Sequence, residues 1–354
     1  MTDRYLLDKH KLKYHPVEVG KFFNGDSFYP IYVEISPTAF CNHRCIFCNY
    51  NYLGHTGKFP DKRMVTLVEE LGKLGIKSIV FAGIGEPFLH EDTIDAIKKA
   101  KNSGIDVAAS TNGALLDNEK IEIIAKNLTW IRFSFNGGNE DNYAKVHRTN
   151  KKDYSIVIEN IKELKKVKDK LNSNITIGVQ FILLPQNKDF VISTGKMFKE
   201  IGIDYFVVKH FYQHPKNKYK IDECFRTEAL INNLKEEAKI LTDNTFNFIV
   251  RDLSPVKEKR IYNKCYGLEF IVYIREDGEV YTCFSHQEDK NTSIGNILDK
   301  SFQEVWNSDR KKKAIEYINT KIDKNRCQQN CRHHQINNYL WDLKHPIIEH
   351  INFI

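Results

Sequence analysis

The chain contains one unusually cysteine-rich stretch, Phe40-Cys41-Asn42-His43-Arg44-Cys45-Ile46-Phe47-Cys48-Asn49-Tyr50. Three of the eight cysteines lie in it, directly after a strand-like run at 31–35. Structural zinc ions and iron–sulfur cubes usually have four protein ligands, so a tight trio with no fourth thiol nearby leaves one coordination position open. The spacing therefore indicates a metal centre to which a substrate or cofactor can bind directly.

Two other interpretations of this trio stay open. His43 or His55 could complete a zinc site, because imidazole and thiolate are both zinc ligands. Alternatively, the three thiols could be unligated in a reduced interior. Free cysteines rarely cluster with such short gaps, so metal binding is favoured, and the choice between iron and zinc depends on the rest of the chain.

Length and charge limit the class of protein. A chain of 354 residues suits one large α/β domain plus a smaller one. The net charge of +7 is modest and the lysines are spread over predicted helices, which predicts no nucleic-acid partner but allows a phosphorylated substrate. The polar segment 1–14 is not a signal peptide, and no apolar run is long enough for a membrane span. We expect a cytoplasmic protein without a membrane partner, whose cysteines are metal ligands rather than disulfides.

Strand-like and helical runs alternate along the first two thirds of the chain. The strand-like runs are 31–36, 78–82, 105–110, 130–135, 175–184 and 205–209. Repeated βα units form a parallel sheet with helices outside, and six strands fit a partial (β/α)6 TIM barrel. A less regular segment with a helical patch at 228–241 and a strand-like run at 246–250 follows as a bridge.

A second cysteine set lies near the end of the chain, at Cys265, Cys283, Cys327 and Cys331. Asp277-Gly278 separates two apolar runs between the first two of these, which predicts a β-hairpin that brings that pair together. A structural zinc ribbon and an iron–sulfur cluster both remain open for four thiols. We expect a small α+β domain at this end of the chain.

The cysteine stretch resembles the C-x3-C-x2-C signature of the radical S-adenosylmethionine (SAM) superfamily. The resemblance implies that Cys41, Cys45 and Cys48 hold a [4Fe-4S] cluster that binds SAM, with Phe47 near the adenine. It also implies reductive cleavage of SAM to a 5'-deoxyadenosyl radical. The run at 82–87 resembles the family motif for the SAM amino group through Gly83, Gly85 and Glu86, although Ile84 splits the glycine pair. Further implied SAM contacts are Ser110, Asn112, Ser134, Asn136, Gln180 and, for the carboxylate, Arg148.

The four later cysteines resemble the Twitch form of the SPASM auxiliary-cluster domain, which implies a second [4Fe-4S] cluster. We expect a lead-in at 1–29, a radical SAM partial barrel at 30–211, a linker at 212–261, and the auxiliary domain with a C-terminal tail at 262–354. The lead-in is too short for the leader-binding domain of many peptide-modifying relatives.

The resemblance to members with a short auxiliary domain favours a small polyhydroxylated substrate: a sugar, sugar nucleotide or aminocyclitol. The expected enzyme is an oxidoreductase (dehydrogenase) or epimerase of carbohydrate biosynthesis, supplied with electrons by a flavodoxin- or ferredoxin-type donor. Cys224 is the candidate hydrogen donor for epimerisation. Candidate proton acceptors by placement are His147, Lys209 and His210. A peptide- or protein-modifying enzyme and a non-catalytic zinc protein are the alternatives.

Overall fold

The computed structural model describes residues 5, 10–212, 214, 216–251, 260–328 and 331–353. Parts of the predicted lead-in and of the predicted linker, including 252–259, therefore lie outside the described residues. The strands are β1 (Tyr32–Ile35), β2 (Ser78–Phe81), β3 (Asp106–Thr111), β4 (Trp130–Ser134), β5 (Thr176–Leu183), β6 (Tyr205–His210), β7 (Asn247–Val250), β8 (Ile271–Ile274), β9 (Glu279–Tyr281) and β10 (Ser293–Asn296).

Helices connect most of these strands. They are α1 (Pro16–Asn24), α2 (Arg63–Lys73), α3 (Thr93–Asn102), α4 (Asn118–Asn127), α5 (Glu140–His147), α6 (Lys152–Lys170), α7 (Val191–Ile201), α8 (Glu228–Leu241), α9 (Phe302–Trp306), α10 (Asp309–Lys321) and α11 (His333–Lys344). In the part of the chain that the structure describes, no helix combines the length and the apolar character that crossing a bilayer requires.

The strands form one mixed sheet in the order β10-β9-β8-β1-β2-β3-β4-β5-β6-β7. Neighbours from β1 to β7 pair in parallel and follow chain order, because a helix carries the chain back to the starting edge after each strand. The predicted α/β class with a partial barrel and a C-terminal domain is confirmed.

The parallel part of the sheet is longer than the six predicted strands. The segment expected to bridge two domains contains α8 and β7, and β7 pairs in parallel with β6. Leu234, Ala238 and Leu241 bury one face of α8 in the main core, and Phe248 does the same for β7. This segment therefore adds a seventh parallel strand with the helix before it. The sequence predicted both elements but assigned them to a bridge rather than to the barrel sheet.

The predicted hairpin is confirmed, and it extends the barrel sheet. β8 and β9 pair antiparallel around Gly278, whose φ of 77° suits the tight turn. β8 also pairs in parallel with β1, so that Glu34 lies opposite Tyr273. The C-terminal cysteine region is consequently attached to the strand that leads into the first cysteine stretch.

The two faces of the parallel sheet differ in character. Outward-facing side chains such as Ile79, Phe133 and Phe181 are fully buried under the helices. The opposite, concave face carries partly accessible polar side chains at alternate positions of β4 and β5, including Arg132 and Gln180. Because side chains alternate along a strand, this face lines the interior of the partial barrel. We call this interior the lumen.

Candidate active site

The first cysteine stretch follows β1 at the carboxyl edge of the sheet, where barrel enzymes place their chemistry. Two backbone hydrogen bonds fix it against the end of α5: the N–H of Arg44 donates to the His147 carbonyl, and the N–H of Ile46 donates to the Val146 carbonyl, both at 3.0 Å. The N–H of Cys48 donates to the Cys45 carbonyl at 3.1 Å. The loop is thus fixed by hydrogen bonds to α5 and by one hydrogen bond between its own residues.

The thiols of this stretch lie close enough to influence one another. Burial raises the pKa of Cys41 to about 11, with a further contribution from Glu86. Burial raises the pKa of Cys45 well above its usual value, and the thiols of Cys48 and Cys41 raise it further. Since ionised thiolates are disfavoured here without a compensating positive charge, the donor set fits a cationic metal centre.

The spacing of the sulfur atoms favours a cluster over a single ion. Four thiolates around one zinc ion at 2.3 Å lie about 3.8 Å apart. Among the described residues, neither cysteine set has three sulfur atoms within 4.8 Å of one another. A multi-iron cube accommodates wider sulfur spacings, so both sets fit an iron–sulfur cluster, whereas Cys45 with His43 and His147, whose ligand atoms lie within 4.8 Å of one another, is the grouping that could hold a single ion.

His147 is built into the wall of this site. Its Nε2 accepts a hydrogen bond from the backbone N–H of Asn136 at 3.0 Å, and its Nδ1 lies 3.3 Å from the Cys45 sulfur. The ring proton is therefore on Nδ1 and points at sulfur. Burial keeps the pKa of His147 well below its usual value, so the ring is neutral. This geometry argues against His147 as the predicted proton acceptor, because both nitrogens are already engaged.

We expect a His147→Phe variant to have a lower cluster reduction potential. An N–H donor to a ligating sulfur stabilises the reduced, more negative cluster. A loss of about 1.4 kcal/mol of that preference corresponds to about 60 mV for one electron. An anaerobic redox titration followed by electron paramagnetic resonance measures the shift at matched iron content. His147→Gln keeps an N–H donor and is the control; equal potentials in all three proteins would contradict the role.

Glu86 ties two strand ends together at the same edge. It is buried, and its carboxylate accepts hydrogen bonds from the Thr111 hydroxyl at 2.5 Å and the Asn112 N–H at 2.7 Å. Burial raises its pKa to about 7. Gly85 packs against the cysteine loop so closely that a Cβ would lie 2.1 Å from the Phe40 carbonyl oxygen. The Gly85-Glu86 pair therefore fixes the position of the loop that carries Cys41.

The other predicted SAM contacts fall into two groups. Asn112 donates to Asn42 at 2.7 Å beside the Cys41 sulfur, and Ser110, Ser134 and Gln180 face the lumen with partial accessibility. Of these four, Asn112 contacts the first cysteine set directly, and the other three line the lumen.

Asn136, Arg148 and Phe47 are placed differently from that group. Asn136 is fully buried and accepts from the Ile182 N–H at 2.6 Å, so its side chain joins two strands. Arg148 is exposed and ends α5 with a left-handed φ of 47°. Phe47 packs in a small apolar cluster with Val146 and Phe211. The geometry argues against Asn136 as a ligand contact because its carbonyl oxygen is used within the fold.

The three remaining catalytic candidates differ in accessibility. Cys224 is exposed on a short turn at Glu223–Phe225. His210 is buried, and its Nε2 accepts from Arg226 at 2.8 Å, which argues against His210 as a free proton acceptor. Lys209 is partly accessible on the lumen side of β6, and burial together with Arg132 and Arg332 lowers its pKa well below the usual value.

The second cysteine set is also enclosed. Burial raises the pKa of Cys265 to about 12, and the thiols of Cys331 and Cys327 raise it further. Burial also raises the pKa of Cys283 well above its usual value. The Asn337 amide donates to the Cys265 sulfur at 3.1 Å from α11. These four thiols, like the first three, could hold a cationic cluster.

One side-chain contact links the C-terminal cysteine region to strand β1, and the sequence did not predict it. Arg332, directly after Cys331, donates to the Tyr32 hydroxyl at 2.7 Å and forms an ion pair with Glu34 in the lumen. Glu34 is a charged residue at an alternate position in an otherwise apolar strand, and this pattern indicates a polar partner on that face of the strand. The C-terminal region therefore contributes a side chain to the barrel interior.

Comparisons with known proteins agree with this geometry. Residues 35–181 match the profile of the radical SAM superfamily, and residues 265–333 match that of the SPASM iron–sulfur cluster-binding domain. A tungsten-containing aldehyde ferredoxin oxidoreductase cofactor-modifying protein from Pyrococcus furiosus is 24% identical over 301 residues, which are 79% of this chain and 81% of that protein. GTP 3',8-cyclase from Clostridium perfringens is 25% identical over 219 residues, covering 60% of this chain and just under two thirds, 64%, of the cyclase.

Solved structures share the fold. SuiB from Streptococcus suis bound to SAM superposes with a TM-score of 0.67 at 18% identity, covering 88% of this chain and 72% of SuiB. SuiB bound to its precursor peptide SuiA gives a TM-score of 0.66 at 17% identity, covering 88% and 71% of the two chains. The chain therefore contains a radical SAM domain and an SPASM iron–sulfur cluster-binding domain, and the cofactors of an enzyme with these two domains are SAM, a [4Fe-4S] cluster and an auxiliary iron–sulfur cluster.

Proposed function

We propose that this enzyme abstracts a hydrogen atom from a small polyhydroxylated substrate bound in the lumen and converts a carbinol carbon to a ketone or to its epimer. The observation that supports the proposal is the concave sheet face, where Ser110, Ser134 and Gln180 present hydroxyl and amide groups to the lumen that SAM and the substrate would share. Hydroxyl and amide side chains are the partners that a sugar-like substrate needs for orientation.

In this proposal Cys41, Cys45 and Cys48 hold the SAM-binding cluster, and Cys265, Cys283, Cys327 and Cys331 hold an auxiliary [4Fe-4S] cluster. When bound, SAM and the two clusters supply a 5'-deoxyadenosyl radical and an electron acceptor for the substrate. The chain positions these groups and excludes water from them. Glu86 fixes Asn112 beside Cys41, and the buried ring of His147 donates to Cys45.

Oxidation rather than epimerisation is favoured by the placement of Cys224. A thiol that returns hydrogen to a substrate radical has to reach the shielded substrate, whereas Cys224 is exposed and hydrogen-bonded to Asp222. Oxidation needs a proton acceptor instead. Both nitrogens of His147 and the Nε2 of His210 are engaged within the fold, so the proton leaves through Lys209, which is partly accessible from the lumen, or through the substrate or water.

The test is a reaction in deuterated water. Anaerobically reconstituted enzyme is reduced with dithionite and incubated with SAM and a panel of sugars, sugar nucleotides and aminocyclitols. We expect a carbonyl product and 5'-deoxyadenosine above the substrate-free level for one class. Solvent deuterium at carbon with inverted configuration would identify an epimerase, and stimulation by none of the panel would contradict the substrate class.

A peptide substrate is the second candidate. It is favoured by the shared fold with SuiB, which has been crystallised with its precursor peptide. The same panel experiment distinguishes a carbohydrate-like substrate from a peptide substrate when short peptides encoded next to the gene are added to the panel. Modification of such a peptide, detected as a mass change that requires SAM, would replace the carbohydrate proposal. An electron donor of the flavodoxin or ferredoxin type is proposed in both cases.

A further inference from the structure

Three cationic side chains approach the lumen from different strands. Arg132 is on β4, Lys209 is on β6, and Arg332 reaches in from the start of α11. The register places Arg132 opposite Gly178, and Lys209 opposite Ile182, on the same face of the sheet. We call Arg132, Lys209 and Arg332 the lumen cations.

The lumen cations carry more positive charge than the protein neutralises. Glu34 forms an ion pair with Arg332. Among the described residues, no carboxylate forms an ion pair with Arg132 or Lys209; the Arg132 guanidinium donates only to the Ser110 hydroxyl at 3.3 Å, and its buried Nε has no partner. Burial together with the two guanidinium groups lowers the pKa of Lys209. Arg132 therefore keeps a positive charge that no described carboxylate balances, and the ammonium form of Lys209 is disfavoured until an anion lies nearby.

An uncompensated charge of this kind is costly in a barrel interior unless a ligand balances it. The three residues remain partly accessible, and the Arg332 side chain is 41% exposed, so a ligand in the lumen can reach them. A guanidinium fork matches oxyanion geometry, and a phosphate ester carries a charge of about −2 at neutral pH. Such a dianion would balance Arg132 and would also favour protonation of Lys209.

We propose that the lumen cations bind a phosphoryl group of the substrate. The inference rests on the proposed function because it places the substrate in the same lumen, and it narrows the class to phosphorylated or nucleotide-linked compounds. Lys209 then contacts the substrate as an ammonium ion, because the bound dianion favours its charged form. The proton acceptor for oxidation would in that case be a group on the substrate or water rather than Lys209.

Calorimetric titration of the reconstituted, oxidised enzyme with pyrophosphate in saturating SAM tests this inference without requiring turnover. We expect binding to weaken at least tenfold in Arg132→Met and in Lys209→Met. Lys101→Met removes an equal charge from an exposed site on α3 and should bind like the unmodified enzyme. Arg132→Lys keeps the charge and should lose less affinity than Arg132→Met. Iron content and the circular dichroism spectrum verify that each variant is folded.

Several outcomes would overturn the assignment. Unchanged affinity in the two methionine variants would remove the lumen cations from anion binding, as would no binding of pyrophosphate to the unmodified enzyme. A second titration without SAM gives the comparison. Binding of pyrophosphate without SAM but not in saturating SAM would identify the SAM carboxylate as the anion that the lumen cations bind. Equal affinity for acetate would contradict a phosphoryl group. None of these results depends on hydrogen abstraction, so they are distinguishable from failure of the proposed reaction.

Discussion

A Cys45→Ala variant is expected to lose 5'-deoxyadenosine formation altogether and to contain about four fewer iron atoms per chain than the unmodified enzyme. The reason is that the three thiols of the first set share one enclosed site, in which each is needed to complete the cluster ligation. Cys45 is the thiol to which His147 donates, so its loss also removes that contact. Iron and sulfide analysis and product chromatography after anaerobic reduction with dithionite measure both effects.

Cys224→Ala is the matched control for this variant. Its thiol is exposed and lies outside both cysteine sets, so iron content and cleavage of SAM should equal those of the unmodified protein. Full iron content in Cys45→Ala, or full iron loss in Cys224→Ala, would mean that the wrong thiols have been assigned to the cluster.

A Cys283→Ala variant should separate the two iron–sulfur centres. It removes a buried thiol directly after β9, and we expect about four iron atoms to be lost while cleavage of SAM to 5'-deoxyadenosine continues. Product formation should fall by at least about a hundredfold, because a substrate radical without an electron acceptor is not oxidised, and a factor of that size corresponds to about 2.7 kcal/mol. Mass spectrometry of product against 5'-deoxyadenosine gives the ratio.

The same preparation of Cys45→Ala supplies the reciprocal comparison, since it should keep the spectrum of the auxiliary cluster. Electron paramagnetic resonance of the two reduced variants should therefore show complementary signals. Undiminished product formation in Cys283→Ala would contradict an electron-accepting role, and loss of all iron would indicate that the two centres fold together. The pairing of β8 with β1 would explain that second outcome, because it joins the region of the auxiliary cluster to the strand before the first cysteine set.

The local sequence was sufficient for the features that depend on short segments. The strand–helix alternation and the turn at Asp277-Gly278 depend on residues that are close in the chain, and their predicted structures are present. Periodicity predicts such elements because the side chains that bury one face are neighbours in sequence. The helix at 228–241 and the strand at 246–250 were predicted in the same way, but the pairing of β7 with β6 was not, because it joins segments that are distant in the chain.

The sequence by itself determined the resemblance to radical SAM and SPASM domains, the βα barrel and the two sets of cysteines, since each is encoded in continuous patterns. The tertiary structure alone decided what the nitrogens of His147 contact, how Arg332 reaches Glu34, and that Arg132 and Lys209 share one concave face. These relations join residues far apart in the chain, and their energies depend on distance and burial after folding. No spacing rule in a single sequence contains that information.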